Sequence, residues 1–218
     1  MNTELYSNSA GSATSNSEPA RNSESGNDDG HVVAVLVANA KSGDRKSLER
    51  LAALFHRKIF GLVYHRTGNR MDAEDLTQDV FVEMTKSIKR LRDPHSFRPW
   101  LCRIALNRVK DLHRRRKLKS LWAKSEWEAR VETPEDVESP LHQIQAKEFW
   151  RQLHGLVQKM SGKERETFML RYVDQLRIKE IADTLRISES TVKTHLQRAL
   201  KKLKRASAFR ALVRERTP

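Results

Sequence analysis

The chain has almost none of the residues that staple a small fold. Cys102 is its only cysteine, which excludes a disulfide framework and a Cys-rich zinc site. Long apolar runs are missing as well. The longest, Val32 to Ala38, lacks the flanks of a secretory signal and falls far short of the ~20 residues of a spanning helix. No membrane insertion is expected. No strand alternation and no internal repeat can be found, and no His stands at ligand spacing beside the carboxylates to build a metal site. No catalytic constellation is visible, and no cofactor is expected.

Positive charge is plentiful. Forty-two Lys and Arg face 28 Asp and Glu, giving a formal charge of +14 and a pI near 10.2. So basic a chain favours a polyanionic partner, most often nucleic acid. At 218 residues, it has room for one or two domains of ~100 residues each. The expectation is a basic, intracellular, cytoplasmic protein.

Residues 1–30 contain twelve Ser or Asn and too few apolar side chains to offset the entropy of ordering, so they are expected to be a disordered tail. From 31 to 119 the periodicity is helical. Ser42-Gly43-Asp44 breaks the first two helices, with Gly ending one and Asp capping the next. A third helix carries Leu76, Val80, Met84, Ile88 and Leu91 on one face, with Asp72 as its expected N-cap. After "RDPHS" a fourth helix begins, with Ser96 a candidate cap and Pro99 in the tolerated first turn. Residues 120–140 form an acidic linker: "SEWEARVETPEDVESP" holds six acids against the single base Arg130, with two prolines. A second helical module occupies 141–213. The predicted fold is all-α, two helical domains joined by a flexible acidic linker.

Three surfaces carry chemistry. In the C-terminal module "RIKEIADTL", "RIS" and "ESTVKTHLQRALKKLKR" give helix, tight turn and helix, with the small Ala182 at the crossing and Ser188 as cap. That is a helix-turn-helix arrangement. Its outer face presents Ser190, Thr191, Lys193, Thr194, Gln197, Arg198 and Lys201, the side-chain types that bond base edges and phosphates. A solvated cationic face on a bundle helix would look similar, but cap, turn, crossing and polar face agree in register. Arg186 stands where many such turns have Gly, so a left-handed conformation costing ~1 kcal/mol is expected there. In the fourth helix, residues 98–119 hold nine Lys and Arg against Asp111 alone. Arg103, Asn107, Lys110, Arg114 and Lys117 recur as one stripe able to track phosphates. Trp100 fits either a base-stacking wedge or a core position. On the third helix, Asp75, Gln78, Asp79 and Glu83 form an acidic and amide stripe away from the apolar face. Helix-start charge explains Asp72 to Asp75 but not the residues further along.

"KERETFMLRY" with the helix-turn-helix behind it resembles the C-terminal domain of bacterial sigma-70 family factors, especially the extracytoplasmic-function (ECF) group. LuxR-type regulators share "EIA…L.IS.STVK.HL", so a stand-alone helix-turn-helix regulator is the alternative. Two N-terminal blocks favour the sigma reading: "DAEDLTQDVF" (72–81) is similar to the helix that docks on the polymerase clamp, and "SFRPWLCRIALNRVKDLHRRR" (96–116) to the promoter-melting stretch. "AKSGDRKSLERL" (40–51) fits the family's entry helices. The resemblance implies a transcription initiation factor without catalysis of its own, whose partners are core RNA polymerase, double-stranded promoter DNA and the melted non-template strand. It implies that Asp75, Gln78, Asp79 and Glu83 meet polymerase. Asp93, His95, Ser96 and Phe97 would take up an unstacked −10 base, with Arg103, Asn107, Lys110 and Arg114 beside them. Ser190, Thr191, Lys193, Thr194, Gln197 and Arg198 would read the −35 element. The acidic linker would thread near the polymerase active site, and an anti-sigma factor is a possible further partner.

Overall fold

The computed structural model describes residues 25–122, 153 and 155–205. The expected tail up to residue 24, the linker from residue 123 and the end of the second module from residue 206 lie outside the described residues. Among the described residues the architecture is helical, without a strand.

Helix α1 (Ser25–Lys41) buries Ala34, Val37 and Ala40 at intervals of three. It starts inside the segment assigned to the tail by composition, because extending an existing helix costs far less than nucleating one. Gly43 turns the chain with φ 99, a conformation that Gly adopts without penalty. Asp44 then caps α2 (Arg45–Thr67), its carboxylate accepting from the Lys46 and Ser47 N–H groups at 3.1 Å. Leu51, Phe55, Ile59 and Leu62 form the buried stripe of α2, and Gly68, at φ 65, closes it.

Helix α3 (Arg70–Ser87) is capped by Asn69, not Asp72: the Asn69 side chain accepts from the Asp72 N–H at 3.0 Å. Asn69 holds the extended backbone a cap requires (φ −134, ψ 129), so Asp72 falls in the first turn and its carboxylate is left for Arg116. Val80, Met84, Ile88 and Leu91 are buried as the periodicity predicts. Leu76 is partly buried, and Ala73 and Thr77 complete the inner face. A 3-10 turn at Pro94–Ser96 leads into α4 (Phe97–Trp122). Ser96 gives its hydroxyl to Asp93 at 2.8 Å, so the Asp93 carboxylate organises the turn that was assigned to Ser96. The first residues counted as linker, 120–122, continue α4.

In the C-terminal half Ser161 and Glu164 bond each other's backbone N–H at 3.4 and 3.0 Å, a capping box that starts α5 (Gly162–Phe168). A π-helical turn at Met169–Val173 follows. Helix α6 (Ile178–Leu185) and helix α7 (Glu189–Arg205) complete the described residues. The α5 and α7 faces enclose a small core with Leu153, Leu156, Phe168, Ala199 and Leu203.

The two halves share their larger core. Leu170, Leu176, Ile181, Ala182, Val192 and Leu196 belong to the same buried cluster as Leu101, Ala105, Leu106 and Val109 of α4. Polar bonds pin the seam. Arg66, at the end of α2, donates to Glu166 at 2.7 Å and to Asp174 at 2.8 Å, with the Arg66 and Asp174 side chains 8% and 6% exposed. Beside it a cleft of about 730 Å³ opens between α2, α4 and the second half, lined by His65, Lys110, His113 and His195 among others.

Two stability predictions follow from local geometry. Arg186 ends α6 at φ 56, ψ 49, the left-handed region that costs a side-chain-bearing residue ~1 kcal/mol and Gly nothing. Arg186→Gly should therefore raise the unfolding free energy by about 0.5 kcal/mol after the added entropy of an unfolded Gly, read from urea titrations. Burial, helped by the neighbouring Arg66 charge, pushes the His65 imidazole down from 6.5 to about 4. The unfolded chain takes up that proton first as pH falls, so the stability from neutral His65 is complete above pH 6.5 and lost towards pH 4. His65→Leu should remove up to about 3 kcal/mol of the acid-induced loss across that window, measured as the difference between the two pH–stability curves.

Candidate nucleic-acid interface

Helix α7 is amphipathic with its two faces cleanly separated. Val192, Leu196, Ala199 and Leu203 are buried, while Ser190, Lys193, Thr194, Gln197 and Arg198 are exposed and Thr191 is partly so. Ser188 caps the helix as expected, its hydroxyl accepting from the Thr191 N–H at 3.2 Å. The Ser188 oxygen also lies 2.8 Å from the hydroxyls of both Ser190 and Thr191. Thr194 donates its hydroxyl to the Ser190 carbonyl at 3.0 Å, which leaves its oxygen free to accept. The strongest outward donors on this face are Lys193, Arg198 and the Gln197 amide, types suited to guanine and adenine edges or to phosphate. The turn before it closes with the Arg186 and Ile187 N–H groups directed to Ala182 O.

The second surface begins at the loop before α4. Asp93 accepts from the His95 N–H at 3.0 Å and from the Ser96 hydroxyl, and those bonds, the Ser96 one first, hold its carboxyl below the ordinary range. Asp93 and His95 are exposed and Ser96 half-buried. Phe97 departs from expectation: it is fully buried, edge-on to Phe55 with ring centroids 5.1 Å apart. It therefore anchors the loop from below and cannot touch a base in this arrangement. Trp100, half-buried 5.8 Å from Phe97, packs against the core, which favours the core alternative.

Along α4, Asn107, Lys110 and Arg114 are exposed. Lys110 lines the cleft, and Arg114 also reaches Asp111 at 3.2 Å. Arg103 turns towards α6 and donates to Asp183 O at 3.4 Å. Two cations off this stripe have carboxylate partners on α3: Arg108 meets Glu83 at 3.2 Å and Arg116 meets Asp72. Glu83 thus belongs to the α3–α4 seam. Asp75, Gln78 and Asp79 stay exposed together. On either side of them along the helix stand Met71, 75% exposed, and Val82, 51% exposed. Positions 71, 75, 78 and 82 follow the helical repeat, so the mixed apolar and acidic face is present in the spacing, although charge and amide chemistry alone point only to Asp75, Gln78 and Asp79.

Among the described residues, no group of three or more His, Cys, Asp or Glu is placed to hold a metal ion, and no helix is long and apolar enough to cross a membrane.

Two family models match, in this order along the chain: Sigma-70 region 2 over residues 51–119 and Sigma-70, region 4 over residues 150–203. The chain is 31% identical over 159 residues to the ferric citrate uptake sigma factor FecI of Escherichia coli (strain K12), covering 71% of this chain and 87% of that protein. It is 27% identical over 185 residues to the ECF RNA polymerase sigma factor SigW of Bacillus subtilis (strain 168), covering 80% and 96%. The fold is similar to that of CnrH in complex with the cytosolic domain of CnrY, with a TM-score of 0.60, 22% identity and coverage of 85% and 99%. It is also similar to the sigma factor RpoE in complex with the anti-sigma factor NepR from Bartonella quintana, with a TM-score of 0.59, 15% identity and coverage of 72% and 94%. A stand-alone regulator of the LuxR kind would leave the region 2 match without a role. Motifs, fold and both matched regions agree: the chain belongs to the sigma-70 family, as an ECF sigma factor that directs RNA polymerase to promoters.

Proposed function

We propose that three separate faces divide the work of this sigma factor. Residues 31–119 form the unit that binds core polymerase and opens the −10 element, and residues 141–213 form the unit that reads the −35 element. The linker between them lies outside the described residues. Polymerase supplies the chemistry, and the chain acts in the cytoplasm, where polymerase is.

The exposed face of α3 carries the polymerase reading. Asp75, Gln78 and Asp79 point to solvent while the neighbouring acids Asp72 and Glu83 are tied to α4. Carboxylates flanked by exposed Met71 and Val82 make a docking face that offers both apolar area and charge complementarity to a basic partner. At the promoter, the Asp93–Ser96 turn lies over buried Phe97 as a rigid rim for an unstacked −10 base, and Asn107, Lys110 and Arg114 extend from it along the strand. Helix α7 enters the −35 major groove with Lys193, Gln197 and Arg198 foremost and Ser190, Thr191 and Thr194 supporting. An anti-sigma factor is a further partner, of the kind that RpoE of Bartonella quintana has in its complex with NepR.

Two variants of the full chain separate these faces. Asp79→Arg should weaken binding to core polymerase at least tenfold, about 1.4 kcal/mol, in a titration of labelled sigma with purified core, and leave −35 duplex binding intact. Lys193→Ala with Arg198→Ala should do the reverse: −35 duplex binding should fall at least tenfold, with a log–log salt slope shallower by up to ~2 if both cations meet phosphates. Equal loss of both activities in either variant would point to misfolding, and no loss in either would place the contacts on other faces.

A further inference from the structure

A lysine in the last turn of a helix ordinarily answers that helix's own carbonyls and the negative end of its dipole. Lys41, the last residue of α1, is spared the first of these tasks. The Ser42 N–H reaches Ala38 O at 3.3 Å and Asn39 O at 3.1 Å, while the Gly43 and Asp44 N–H groups reach Ala40 O and Asn39 O, each at 3.1 Å. The Lys41 ammonium instead crosses 50 residues of sequence and donates to Leu91 O at 2.8 Å, in a partly buried bond. Leu91 ends the 3-10 turn Ile88–Arg90 with extended backbone, φ −67 and ψ 115. It is the last buried residue before the exposed Asp93 and His95. Helix α1 packs against that turn and also against the turn at Pro94–Ser96, so the anchor comes from a helix lying beside the loop.

We propose that Lys41 is a positioning residue for −10 recognition: through Leu91 O it sets the angle at which the Asp93–Ser96 rim meets an unstacked base, without touching DNA itself. The role rests on that rim being the −10 contact. From Leu91 to Phe97 the chain is tied in the middle and at both ends. In the middle, Asp93 accepts from the His95 N–H at 3.0 Å and from the Ser96 hydroxyl at 2.8 Å. Those bonds fix the internal shape of the turn but not its direction. At the far end Phe97 is buried against Phe55. The near end is the peptide between Leu91 and Arg92. A peptide unit is planar, so a bond to its carbonyl fixes the whole plane. Without that bond, Leu91 ψ and Arg92 φ are the soft pair about which the preformed turn swings as one piece. A partly buried carbonyl that loses its donor must also turn to find water, which drives the swing. A charged donor makes the stronger tie, and a four-carbon stem gives it the reach from one helix end to a distant loop.

The test uses the full chain assembled with purified core polymerase, and a promoter that this holoenzyme selects from a library randomised at the −10 element. Forked duplexes are then made that differ only in the unpaired base, and the ratio of the tightest to the weakest affinity measures base discrimination. Lys41→Met keeps the length of the side chain and loses its charge and donor. It should cut the ratio about fivefold, by loosening a contact of the size that one base normally contributes. Lys41→Ala should do the same, and keeps the test alive if Met disturbs folding. Lys41→Arg can still donate to Leu91 O and should hold the ratio within about twofold of the parent. A merely structural Lys41 would lower all the affinities together and leave the ratio alone. The log–log salt slope should stay at the parent's value in Lys41→Met, whereas a lost phosphate contact would make it shallower by ~0.7. Affinity for core polymerase and for a −35 duplex should be unchanged in each variant, which certifies the fold. An unmoved ratio in Lys41→Met and Lys41→Ala, an equal loss in Lys41→Arg, or a shallower slope would overturn the proposal. His95→Ala, in the rim itself, separates the two possible failures. If it alters base preference and Lys41→Met does not, the rim stands and Lys41 is not its anchor. If neither alters it, the rim does not read the base and both readings fall.

Discussion

A guanidinium almost without water, held between two carboxylates of the opposite half, fixes how this molecule is put together. Burial by itself opposes charge on Arg66, and Glu166 and Asp174 more than offset it, so that its proton is held more firmly than usual. Asp174 pays the other side: burial pushes its carboxyl up, with Arg66 working against the shift. Such a pair adds little net stability compared with apolar packing, but it penalises every arrangement in which one member is buried alone. The apolar seam around it, where α4 meets Ile181 and Ala182, tolerates sliding because dispersion is not directional. Arg66 uses Nε and both Nη atoms towards three partners, and a planar fork satisfied in this way admits one register. Packing supplies the adhesion between the halves, and the ion pairs choose the pose.

The same distinction between neutralised and open charge runs through the surface. With 42 cations and 28 anions, the chain could not leave its acids to chance. On α3 two acids are used inward: Asp72 on Arg116 and Glu83 on Arg108. These pairs sit at the edge of the α3–α4 contact, remain partly hydrated, and are worth no more than about 1 kcal/mol each. Their effect is on display. By engaging Arg108 and Arg116 they leave the stripe through Asn107, Lys110 and Arg114 as the outward cationic line of α4. By withdrawing Asp72 and Glu83 they leave Asp75 and Asp79 as the outward anionic line of α3. One short helix pair thus presents opposite signs on its two sides, one suited to a basic protein surface and the other to a phosphate backbone.

What could be read from the sequence was what local geometry decides. Asp44 and Ser188 cap because a short oxygen side chain reaches an N–H two or three residues on, whatever the rest of the chain does. Arg186 is left-handed because the turn between α6 and α7 demands it, and the departure from Gly was visible as a letter. The apolar face of α3 and both faces of α7 followed from a repeat of 3.6. The misses have a common origin in choices among neighbours or partners far away in sequence. Asn69 and Asp72 are both able caps, and only the backbone settles which is used. Phe97 reads as part of a polar loop until Phe55, on another helix, is seen to cover it. Glu83 was grouped with Asp79 by spacing, and its true neighbour is Arg108. Arg66 gave no signal at all, since its two carboxylates stand 100 and 108 residues away. The two helical domains were legible in the sequence, but their shared core was not, because no local pattern marks Leu170 and Leu106 as members of one cluster.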